Sequence, residues 1–252
     1  MTIDTTEPVT LIGKGISDAA LYGDLFIDCR KAGTKLTLQD VGISETTNTA
    51  NLINFTGKDN VLTVEGVCLL DYDFGYTEKH DALIHVPQDG SLTINGAGTL
   101  YQYNYTQGAG IGGDTGEMNG EIIFAMTGSA FIKGTKQGAV IGAGANAKGN
   151  GVPGSITFES GTYNLETNSR GAAIGGSAGS GGASSGTEVY VKGGNININC
   201  DFTGSAVGGG GYQAGNDSSG GTVYITGGSL RTYIDKNAAN NEYGGFNNAA
   251  FT

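Results

Sequence analysis

One phrase recurs four times in this 252-residue chain and constrains its fold more than any other feature. It reads GAGIGG at 108–113, GAVIGAG at 138–144, GAAIGG at 171–176 and GSAVGGG at 204–210. The starts lie 30, 33 and 33 residues apart. Self-similarity at a fixed period of this size is the mark of a repeat architecture, in which each unit stacks on the next.

Between phrases the pattern is constant. A polar loop leads to a short apolar run, then a Gly-rich turn, then a second apolar run. The first runs fall at 121–124, 155–158, 188–191 and 222–225, and the second at 130–133, 163–168, 195–200 and 229–234. Both are rich in Ile, Val, Thr, Tyr and Phe and alternate with period two, so they read as strands. No window of helical length carries apolar residues at helical spacing. A less glycine-rich form of the same pattern reaches back to the N-terminus. Ile53, Ile84, Ile111, Ile141, Ile174 and Val207 are then equivalent positions, 31, 27, 30, 33 and 33 residues apart.

Three short strands per roughly 30 residues predict a coil whose inner face is buried only by stacking. The expected fold is all-β: a single parallel β-helix spanning 1–252, of six to eight coils and about 30–40 Å long. Residues 1–107 form its glycine-poor coils and 108–252 its glycine-rich ones. Strand twist makes right-handed coiling the expectation. In GAAIGG the Ile should point inward, while the glycines allow a tight turn or a close backbone approach. With no helix following, they do not read as a phosphate-binding loop.

Composition narrows the function. The chain carries 24 acidic and 13 basic residues, a net charge of −11, which disfavours nucleic acid and anionic membranes. No apolar stretch approaches the 18 or so residues of a membrane span. Met1-Thr2-Ile3-Asp4 begins no signal peptide, and the strand-like start at 2–12 suggests a piece of a longer chain. Cys29, Cys68 and Cys200 are odd in number and show no CxxC spacing, so they read as single buried thiols. His80 and His85, without further ligands in sequence, read as a loop residue and a strand-edge residue.

The second strand of each coil offers a surface. Aligning its apolar anchor (Leu70, Leu100, Ile132, Leu165, Ile196, Leu230) places two columns outward. One holds Asp71, Tyr101, Lys133, Glu166, Asn197 and Arg231. The other holds Asp73, Tyr103, Thr135, Asn168, Asn199 and Tyr233. Tyr101, Tyr103 and Tyr105 crowd the densest part. Aromatic faces beside carboxylates and amides suit a sugar ring, whose C–H face packs on an aromatic while its hydroxyls bond at the edge. The candidate ligand-binding residues are therefore Asp71, Asp73, Tyr101, Tyr103, Tyr105, Asn197, Asn199, Arg231 and Tyr233. Asp71 and Asp73, two apart on one strand, are the weak calcium candidates. They are also the only carboxylate pair that suggests glycoside cleavage. No other metal, no cofactor and no catalytic residue is expected.

The phrases GAGIGG, GAAIGG and GSAVGGG are followed by GEII at 120–123, GTEVYVKGG at 186–194 and GTVYITGG at 221–228. In this the chain resembles the AIGGG-repeat β-helix regions of large secreted or wall-attached proteins of Gram-positive bacteria, over roughly 10–235. The resemblance implies a right-handed, pectate-lyase-like β-helix, often labelled carbohydrate-binding, within a multidomain extracellular surface protein. The combined expectation is a non-catalytic surface module that recognises glycan. It would be monomeric within a larger chain and would not insert into a membrane. The alternatives are an adhesin for a host or neighbouring-cell protein, a structural spacer and, last, a polysaccharide-cleaving enzyme.

Overall fold

The computed structural model describes residues 1–17, 21–23, 25–45, 50–72, 81–134, 136–147, 151–168, 170–179, 185–201, 204–211, 220–234 and 250–251. Their regular structure is entirely β and every strand pairing is parallel. One sheet has eight strands of two or three residues. They are Thr2–Ile3, Ile27–Cys29, Ile53–Phe55, Ile84–His85, Ile111–Gly112, Ile141–Gly142, Ile174–Gly175 and Val207–Gly208. A 13-stranded sheet carries the first and second runs of each coil. Lys35–Glu45, Glu121–Gly134 and Ile156–Thr167 belong to both sets of runs, because each continues through the corner between them. With three strand segments per coil stacked coil on coil, the fold is a parallel β-helix.

The recurring Ile is the register mark that the spacing predicts. Ile27, Ile53, Ile84, Ile111, Ile141, Ile174 and Val207 pair in one column, each at most 1% exposed. The next residue becomes glycine from Gly112 onward. Gly112, Gly142, Gly175 and Gly208 have φ of +142°, +140°, +126° and +136°. A Cβ on Gly142 would lie 2.1 Å from the Gly175 carbonyl oxygen. Positive φ and close backbone approach thus both demand glycine here. The first three phrases also close the same local bond: the amides of Ala109, Ala139 and Ala172 donate to the carbonyls of Gly113, Ala143 and Gly176 at 3.0, 2.9 and 2.9 Å, and in the fourth the Ser205 hydroxyl donates to the Gly209 carbonyl at 2.6 Å.

The interior is one continuous apolar column from Ile3 to Val223. At its middle Phe124 stacks on Phe158, with centroids 4.9 Å apart, and Tyr163 meets both edge-on. Tyr163 is buried because its hydroxyl donates to the Ser160 carbonyl at 2.7 Å.

In the second strands the alternation holds, but the register differs from alignment on a bulky anchor. Ile132 does pair with Leu165, and Ile196 with Leu230. Leu100, however, lies between Cys68 and Ala130, Gln102 between Leu70 and Ile132, and Leu165 beside Ile198. Several inward slots are not bulky and apolar, among them Asn104 and Thr167, which are buried and polar. Ala130 is small, and Gln102 is buried with its Nε2–H donating to the Gly110 carbonyl at 2.5 Å. Each slip is of two residues, so every side chain keeps its face while changing its neighbour.

Candidate functional site

The outward face of the second strands carries two columns in the observed register. The first runs Leu69, Tyr101, Phe131, Asn164, Asn197, Arg231. The second runs Asp71, Tyr103, Lys133, Glu166, Asn199, Tyr233. Between them lies a shallow groove of about 330 Å³, lined by Tyr101, Tyr103, Phe131, Lys133, Asn164, Glu166, Asn197, Asn199 and Tyr233, with Ile132, Leu165 and Ile198 beneath.

One end of the groove is aromatic. Tyr101 and Phe131 stack with centroids 5.1 Å apart and planes 14° from parallel. Phe131 is 37% exposed, which leaves its ring open to solvent. Partial burial, then the neighbouring Tyr101 and Asp71, raises the Tyr103 phenol above its usual pKa, so it stays protonated as a donor. The middle is amide and ion pair. Asn197 Nδ2 donates to Asn164 Oδ1 at 3.2 Å. Lys133 bonds Glu166, and that bond raises the lysine pKa, so the ammonium remains charged. Tyr233, 59% exposed, closes the other end. The groove therefore offers a flat apolar face, amide donors and acceptors, and one charged pair, which suits a neutral polyhydroxyl ligand.

Of the residues expected from sequence, Tyr101, Tyr103, Asn197, Asn199 and Tyr233 come together in this groove. Three do not line it. Asp71 pairs in register with Tyr103, not with Tyr101 as the anchor alignment has it. Arg231 continues the first column past Asn197, and Tyr105 follows the end of its strand. Asp73, the other half of the calcium and carboxylate pair, lies outside the described residues, as do His80 and Thr135. Lys133 and Glu166, placed in an outward column by sequence but not among the candidates, also line it, and Phe131 and Asn164 are additions from outside both predicted columns. Each precedes its strand's apolar anchor by one residue, so parity alone would have put both outward.

A second polar cluster lies on the eight-stranded sheet, where sequence shows only an isolated histidine. His85 Nε2 is 2.8 Å from Glu117 Oε2 and 3.8 Å from Asp114 Oδ2. Burial alone would lower the His85 pKa, but the Glu117 hydrogen bond and the Asp114 and Glu117 charges outweigh it and raise the value. Burial likewise opposes ionisation of Glu117, and its bond to His85 prevails and lowers its pKa. Only stacking brings these residues together, because His85 belongs to one coil and Asp114 and Glu117 to the next.

Comparison with family models, with curated proteins and with solved structures finds no match to this chain.

Proposed function

We propose that this β-helix is a non-catalytic binding module whose groove takes a carbohydrate, in the cell-surface setting that the AIGGG-type repeats imply. The observation that carries the reading is the stacked Tyr101–Phe131 pair, with Phe131 open to solvent, beside the Asn164–Asn197 amide pair. A sugar's C–H face would pack on the rings, and its hydroxyls would meet the amides, the Tyr103 hydroxyl and the Lys133–Glu166 pair. The groove is at the small end of ligand sites, which span about 300–1,000 Å³, and its lining runs from coil to coil, from Tyr101 to Tyr233. It suits a short stretch of a longer glycan lying across the coils.

A glycan array on the purified chain, run with and without calcium, tests the class, and titration calorimetry of a hit tests the site. Phe131→Ala should weaken binding by about 1–2 kcal/mol, roughly five- to thirtyfold, with the fold unchanged by circular dichroism. A blank array from folded protein would sink the carbohydrate reading. A glycan hit with unchanged affinity in Phe131→Ala would move the site off this groove.

A further inference from the structure

The second cluster has the donor set and the support of a metal site. On the eight-stranded sheet the outward position after the column Ile is Asp28, Asn54 and His85 in successive coils, and then Gly112. The side-chain ladder stops at that glycine, and Asp114 and Glu117, which follow it in the same coil, bring their carboxylates to His85.

The bonds behind the cluster decide what each ligand atom presents. Asn54 Nδ2 donates to Asp28 Oδ1 at 3.0 Å, and Asp28 Oδ2 is held by Arg30 Nε at 2.6 Å. A carboxylate can only accept, so the Asn54 amide is oriented with Oδ1 toward His85. His85 Nδ1 lies 2.8 Å from that oxygen and must carry the proton. Nε2 is therefore the atom facing the two carboxylates, and a neutral imidazole would aim a lone pair at them. The carboxylates are held in the same way. Asp114 Oδ1 accepts from Asn51 Nδ2 at 2.8 Å and from the Ala82 amide at 2.6 Å, leaving Oδ2 toward His85. Glu117 Oε1 accepts from the Gln88 amide at 3.2 Å, leaving Oε2 toward His85. Three ligand atoms thus converge, and each ligand's other polar atom is fixed by a separate partner, the arrangement that orients metal ligands.

We propose that His85 Nε2, Asp114 Oδ2 and Glu117 Oε2 bind one divalent transition-metal ion of the zinc class. Ligands about 2.1 Å from a tetrahedral zinc stand about 3.4 Å apart. The observed separations from Nε2, 2.8 and 3.8 Å, bracket that value. All three ligand atoms lie within 4.8 Å of one another, and all three residues are partly exposed, which gives an ion a way in. Two carboxylates match the charge of a divalent ion. The imidazole favours zinc, cobalt or nickel over calcium or magnesium. The ion would pin the first glycine-rich coil to the coil before it, and a fourth position would face solvent.

The test uses the full chain, stripped of metal by chelator dialysis and titrated with Zn²⁺ at pH 7.5. The expected result is a single ion per chain, a rise in Tm, and a tetrahedral d–d absorption band when Co²⁺ replaces Zn²⁺. H85A and E117Q should each lower affinity roughly tenfold or more, and N54A, which removes no ligand atom but frees the imidazole, roughly tenfold. A readout on the unaltered chain guards against variants that fail to fold: the His85 Nε2 resonance should shift on zinc addition while Nδ1–H persists. Absence of heat, Tm change and cobalt band from folded wild-type chain would overturn the proposal. So would zinc binding that leaves the His85 Nε2 resonance unmoved.

Discussion

At the scale of single residues, burial sets the chemistry of the three cysteines. Cys29, Cys68 and Cys200 are free and 0% exposed. Burial, with some help from Asp28 and Asp201, pushes Cys29 and Cys200 from 9.0 to about 12. At pH 8 their thiolate fraction falls roughly a thousandfold below that of an ordinary thiol. A thiol reagent at that pH should therefore leave the folded chain unmodified and label all three cysteines once denaturant is added. The linkage has a definite sign. Above pH 9.0 the unfolded thiols ionise while the buried ones stay protonated, so stability should fall as pH rises from 9.0 toward about 12. Denaturant midpoints measured across that range check it. Gln102 makes the opposite point: a polar residue takes an inward slot with its Nε2–H bonded to the Gly110 carbonyl, while its buried Oε1 has no hydrogen-bond partner among the described residues.

At the scale of elements, two aromatic stacks of similar geometry have different consequences. Phe124 on Phe158 lies inside the helix, with centroids 4.9 Å apart, and Tyr101 on Phe131 lies outside, at 5.1 Å. Phe158→Ala would leave a cavity beneath Tyr163 and should cost about 3–5 kcal/mol, read from chemical denaturation. Phe131→Ala removes a ring that solvent already reaches and should cost about 1 kcal/mol or less, which is why it can report on binding without unfolding the chain. The strands carrying these rings were legible from alternation alone. Their pairing was not, because a period of two tells inside from outside but cannot tell Ile132 from Ala130 as the partner of Leu100. Asp71 therefore ends beside Tyr103, and Phe131 enters a site from which anchor alignment had left it out.

At the scale of the whole molecule, strands pair only between neighbouring coils, with side-chain bonds such as Asn51 to Asp114 reaching one coil further, so the rod should tolerate the loss of one coil in the 142–174 region if register is kept. Ile141 pairs with Ile174, Ile132 with Leu165 and Leu165 with Ile198, each 33 residues on. Deleting residues 142–174 would join Ile141 to Gly175 and set Phe131 and Lys133 beside Asn197 and Asn199. The shortened chain should keep its β circular dichroism and a cooperative melt. Deleting one residue fewer should lower Tm, because the extra residue must be bulged out or the following strand turned over. By itself the sequence determined the repeat, the three strands per coil, the inward Ile column, and which residues face solvent. Those follow from local periodicity and from the conformations only glycine allows. Tertiary structure alone decided which outward residues are neighbours. The groove joins residues from Tyr101 to Tyr233, and the His85 cluster joins residues from Asp28 to Glu117. Their adjacency is set by the stacking register, which depends on how side-chain volumes and buried polar groups fit between coils.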